Sequence, residues 1–168
     1  EQSAMQEMFN NILYIDIEMK NKKLGIPAGQ DVKGCPSSPT PCIEKQELRN
    51  SRLSREALSE NVKVLADLIF GFGSPRKGGL TAILRQENAG AAADRSETHV
   101  SDLLTLDERE TNGFDSILAK KTADCEVTPT NWVCQVQTAI KVVVADFKNE
   151  YASVLKVQVP VEKQGDND

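Results

Sequence analysis

The sequence predicts an α+β fold: several helices packed on a small antiparallel sheet that includes a C-terminal β-hairpin. Three observations carry that expectation. Residues 44–70 place Leu48, Leu58, Val62, Leu65 and Leu68 or Ile69 at mostly three- and four-residue steps, the period of an amphipathic helix. Residues 132–144 are rich in β-branched side chains, with Val136, Ile140, Val142 and Val144 on one side of an alternating run. Leu155, Val157, Val159 and Val161 alternate with Lys156, Gln158 and Glu162, a second strand with one apolar and one polar face. Two strands so close in sequence suggest a hairpin, and Pro160, lacking an N–H, makes its last strand an edge.

The remaining elements follow in chain order. Met5, Met8, Phe9 and Ile12 have helical spacing, whereas Leu13, Ile15, Ile17 and Met19 alternate like a strand. Residues 1–20 are therefore read as helix by preference, with the strand open as a third partner for the hairpin. Residues 21–42 hold Gly25, Pro27, Gly29, Gly34 and a proline-rich cysteine loop, which reads as irregular connection. Ser51 or Ser54 offers an N-cap for a shorter version of the 44–70 helix, and Gly71 and Gly73 stop it. Ser74-Pro75 reads as a cap and first-turn proline, interrupted by Gly78-Gly79, with a helical turn or two from Leu80 to Arg85. Residues 86–97 are small and polar and read as a mobile surface loop. Helical stretches follow at 100–106 and, after Asn112-Gly113, at 114–121. Residues 1–163 are expected to form a single globular domain, and 164–168 a polar tail.

Composition limits the function classes. A chain of 168 residues is long enough to bury roughly 70% of its unfolded surface. With 39% apolar and 27% charged residues it has a globular balance, and with 5% aromatics its core must lean on aliphatic side chains. A net charge of −5, with Lys and Arg scattered among acids, argues against nucleic-acid partners and an anionic membrane surface. No segment approaches the ~20 apolar residues that span a bilayer. The chain begins at Glu1 rather than Met, which fits a mature or trimmed product, or equally an arbitrary boundary.

Four cysteines form two local pairs, Cys35 with Cys42 and Cys125 with Cys134. Short loops close at least entropic cost, which favours those two disulfides among the three possible connectivities. Each bridge is worth on the order of 2–3 kcal/mol in the chain-entropy model. Free buried thiols and zinc are the competing readings, but neither pair has the two-to-four-residue spacing of zinc ligands, and His99 is remote from both. Disulfides imply an oxidising, extracytoplasmic compartment: periplasm, cell surface or secretion. The lack of any Asn-x-Ser/Thr acceptor fits a bacterial envelope slightly better than a eukaryotic secretory route.

Signals for chemistry are weak. His99 is the one histidine, read as a solvent-exposed or cap-region residue rather than a catalytic base. Asp107, Glu108 and Glu110 around Arg109 match no cation loop and read as a solvated helix face. The run Gly71-Phe72-Gly73-Ser74-Pro75-Arg76-Lys77-Gly78-Gly79 lacks the order of a phosphate loop. It reads first as a helix terminator and hinge, and second as a contact loop carrying Phe72, Arg76 and Lys77. Trp132, two residues before Cys134, reads first as core packing and second as a recognition anchor.

These readings favour a non-enzymatic interaction or structural module of an envelope, cell-surface or secreted assembly, binding a protein partner or itself through fixed loops and an edge strand. No cofactor is assigned. The alternatives are a pilin-like subunit head lacking its membrane-inserted N-terminus, a carboxylate-dependent hydrolase using Glu108, Glu110 or His99, and a small-ligand carrier.

Overall fold

Residues 2–31, 33–38, 40–119, 125 and 129–161 are described by a computed structural model. Their chain is mostly helical. Helix α1 (Gln2–Ile15) runs on without a break into a wider π-helical stretch, Asp16–Gly25. Turns follow, including short 3-10 segments at Ile43–Lys45 and Arg49–Ser51, before α2 (Ser54–Phe70). The strands β1 (Gly71–Phe72) and β2 (Lys77–Gly78) pair antiparallel, Gly71 opposite Gly78 and Phe72 opposite Lys77. Then come α3 (Leu80–Gln86), α4 (Gly90–Arg109), α5 (Phe114–Leu118) and α6 (Trp132–Asp146). Helix α6 continues through a π stretch, Phe147–Tyr151, into α7 (Ala152–Leu155).

The four long helical segments make an up-down-up-down bundle. Opposed contacts fix the directions. Arg55 at the start of α2 reaches Asp107 at the end of α4, and Trp132 at the start of α6 donates to Leu106 O on α4 at 2.8 Å. His99 and Arg95, earlier on α4, meet Asp146 and Glu150 beyond. The α1 segment runs against α6, with Gln137 reaching Lys20 O at 3.2 Å and Lys148 lying 3.9 Å from Asp16. The core between the helices is one cluster, centred on side chains such as Leu13, Leu24, Leu65, Leu103, Ile140 and Phe147. Helices α1 and α2 stay apart along their outer edge and leave an open seam of about 610 Å³.

The α+β expectation is therefore corrected to a mostly helical fold, and the reason is specific. Val136, Ile140 and Val144 stand four apart, so they fit a strand and a helix equally well. Val142 separates the two readings: a strand would bury it, and it is 37% exposed. Val133, Val143 and Phe147, which a strand would turn outward, are buried instead. The Asn131 side chain caps the helix by accepting from Val133 N at 3.0 Å. Burial of a full helical stripe here overrides the strand propensity of valine. The Leu13–Met19 run likewise belongs to the α1 segment and not to a strand.

The predicted last strand keeps its alternation only as far as Val159, since Val161, expected on the core side, is 81% exposed, and among the described residues it pairs with no strand. Val157 is buried and Val159 partly buried, while Lys156 and Gln158 face out. A side chain bonds its backbone at Gln158. Gln6 donates Nε2–H to Gln158 O at 2.7 Å and accepts from Gln158 N at 2.8 Å, as a neighbouring strand would. The 44–70 helix starts only at Ser54, whose hydroxyl turns back to Glu47 O, with Leu53 in the cap position. The expected loop over 86–97 is helix from Gly90 on, because Ala92, Ala93 and Ser96 are buried where α4 packs closely on its neighbours. Residues 120–121 and 164–168, assigned to a helix end and a tail, lie outside the described residues.

Candidate interaction surface

Both cystines form in the local pattern that the spacing favours: Cys35–Cys42 with Cα atoms 5.6 Å apart and Cys125–Cys134 at 5.4 Å, leaving no free thiol. Cys35, Cys42 and Cys134 are buried, so the bridges tie their loops to the body. The first closes the irregular segment after the α1 arm. The second joins residue 125 to the first turn of α6, and Gln30 Nε2 lies 2.8 Å from Cys125 Sγ.

The glycine-rich run is a tight hairpin, not a hinge before a proline-capped helix. Its glycines are required by geometry. Gly71 has φ +91°, and a Cβ there would lie 2.1 Å from Lys77 O. A Cβ on Gly79 would lie 2.2 Å from Ile69 O, so the two hairpin arms touch backbone to backbone at their base. Thr81 Oγ1 locks that base by donating to Ile69 O at 2.9 Å inside the protein. Arg76 is held from two sides, its guanidinium 5.0 Å above the Phe70 ring and 3.4 Å from Asp67. Phe72 is left 65% exposed, opposite Lys77, which is also exposed. Three of the four candidate contact residues, Phe72, Arg76 and Lys77, are thus brought onto one small projection.

Trp132 is placed elsewhere. At 9% exposure it packs edge-on against Phe114, ring centroids 6.5 Å apart, beneath Arg55 at 5.0 Å. Its indole N–H is taken by Leu106 O. This is the packing role and not a displayed anchor.

Sequence reasoning did not find the partners of His99. Its side chain is 30% exposed in the middle of α4, and Nδ1 lies 2.7 Å from Asp146 Oδ2. Ser96 donates to the same carboxylate oxygen at 3.2 Å. A serine hydroxyl that bonds the carboxylate directly is not relayed through imidazole, so the three groups do not make a nucleophile–base–acid chain. They instead clamp α4 to the end of α6. Ser96 and His99 share a helix face only once residues 90–97 are helical, which is why a loop reading of that segment hid the cluster.

The acids of the 107–110 run also divide. Asp107 is buried and paired with Arg55 at 2.7 Å, with Ser59 donating to it at 2.6 Å. Glu108 is exposed, and Glu110 accepts from Asn112 N at 2.9 Å. Among the described residues, no group of three or more His, Cys, Asp or Glu is arranged to hold a metal ion, and no helix is long and apolar enough to cross a membrane.

The fold and this surface define a class only: a cystine-bearing helical bundle that displays a tethered hairpin. Compared with known protein families, curated proteins and solved structures, the chain matches none.

Proposed function

We propose that this chain is a non-enzymatic interaction module of an extracytoplasmic assembly, at the cell surface, in the periplasm or secreted, and that it contacts a protein partner through the Phe72 hairpin. The observation that carries the reading is the 65% exposure of Phe72 on a hairpin locked at its base. A single exposed aromatic residue is ordinary on a protein surface. What sets this one apart is preorganisation: an aromatic and two cations on a turn whose conformation is already fixed lose little entropy on binding. The two cystines support the compartment, because such bridges persist where the surroundings are oxidising.

Photo-crosslinking tests the contact. A benzophenone amino acid at position 72 is expected to give a discrete adduct in the envelope or extracellular fraction of the source organism. The same probe at Lys141, exposed on α6, is expected to give none. Indistinguishable adduct patterns at the two positions count against the hairpin as the contact. Alkylation of the protein before cell lysis tests the compartment. Two intact bridges are expected, and four alkylated thiols sink the extracytoplasmic assignment.

A further inference from the structure

The seam between α1 and α2 is a second surface, separate from the hairpin. Its floor and walls are apolar, built from Met8, Ile12 and Ile15 on one helix and Val64, Leu65 and Leu68 on the other. Val64 is 56% exposed, an unusual position for a valine inside the seam of a bundle. The α1 wall runs from Ala4 to Met19 and the α2 wall from Asn61 to Leu68, so both walls flank about 10 Å at helical rise, roughly two turns of another helix.

Charge along the rim is one-sided. Glu7 and Glu18 line the α1 edge, whereas the α2 edge offers the Asn61 amide and Val64, and no Lys or Arg lines the seam. Glu18 is paired with Lys22 at 2.5 Å. Glu7 has no ion pair among the described residues, so it sets the sign of that edge.

We infer that this seam docks an amphipathic helix of a partner protein, apolar stripe inward and Lys or Arg on the flank that meets Glu7. Such a helix completes the open side of the bundle by the ridge-and-groove packing that joins the other helices. The chain's own residues 162–168 are all polar or glycine and offer no apolar side chain to fill the seam. A second copy docked with its α1 antiparallel on this α1 would bring Glu7 of one copy toward Glu18 of the other along an apolar contact, which is unfavourable.

The test uses the whole chain and three synthetic peptides of about 18 residues, five helical turns. One has a leucine stripe with a lysine flank, one the same stripe with a glutamate flank, and one the lysine flank with the stripe scrambled. Fluorescence anisotropy is expected to show the first binding about tenfold tighter than either other, with amide shifts at Met8, Ile15, Val64 and Leu68. Val64→Glu should weaken it by about tenfold, and Glu7→Lys should remove the preference for the lysine flank. Phe72→Asp should leave it unchanged, so failure of the hairpin contact and failure of the seam are told apart. Equal binding of the three peptides, or binding indifferent to Val64→Glu, overturns the inference. So does a fatty acid such as dodecanoate binding the seam more tightly than any peptide, which makes it a lipid site. A concentration-dependent dimer abolished by Val64→Glu also overturns it, and makes the seam a self-contact.

Discussion

Arg55 shows how much of the bundle rests on single side chains. It bonds the Asp107 carboxylate, donates to the backbone carbonyls of Asp107 and Glu110, and lies over Trp132, so one guanidinium joins α2, α4 and α6. Removing one partner of a buried pair leaves the other charge uncompensated. Asp107→Ala is expected to destabilise by about 3–5 kcal/mol in urea titration, and Arg55→Ala by a similar amount. Tyr151 presents the opposite case. It is fully buried, and burial pushes its ionisation up to about 12 against the smaller opposing effect of the Ser96 hydroxyl. The folded phenol therefore holds its proton above the pH at which the unfolded one, near 10, loses it. The resulting stabilisation is complete below pH about 10 and is lost as pH rises towards 12, up to roughly 2–3 kcal/mol. Tyr151→Phe should reduce the fall in melting temperature between pH 10 and 12. An equally steep fall in the variant would place the alkaline sensitivity elsewhere.

At the scale of the element, the hairpin depends on backbone more than on side chains. Gly71 occupies a region of φ and ψ that is essentially closed to other residues, and the opposing strand leaves no room for a Cβ. Gly71→Ala is expected to cost about 1–3 kcal/mol locally and to raise amide exchange at Phe72 and Lys77, while α4 and α6 keep their protection. Unchanged exchange at those two amides would show that the hairpin tolerates the side chain. The glycine run itself was legible in the sequence as a stop to α2 and as a loop carrying Phe72, Arg76 and Lys77. Its pairing was not, because a two-residue ladder is too short to show an alternation. The C-terminal segment misled in the other direction. Its alternation holds through Val157 and Val159 and fails at Val161, which is exposed, while a glutamine side chain from α1 bonds the Gln158 backbone as a strand partner would. Gln6 is more than a hundred residues away, so no local pattern shows it.

Across the whole molecule the two cystines pin the segments that helices do not. Each closes a short loop, with Cys35 and Cys42 seven residues apart and Cys125 and Cys134 nine. Removal of either by paired serine substitution is expected to cost about 2–3 kcal/mol in denaturant unfolding, with the α4–α6 helices still formed by circular dichroism. A loss of helical signal on removing either pair would show that the bundle itself depends on the bridge. The sequence by itself determined the cystine pairing, the helix before Gly71 and the glycine run that carries Phe72, Arg76 and Lys77, since each depends on residues close together in the chain. Tertiary structure decided the rest: whether the valines of 132–144 lie on a strand or a helix, whether 90–97 is loop or buried helix, and where His99 and Trp132 point. A residue spacing of four fits both periods, and small side chains suit both a loop and a close helix contact. In each case the choice fell to the area of apolar surface that packing against distant segments could bury, which no short window of sequence contains.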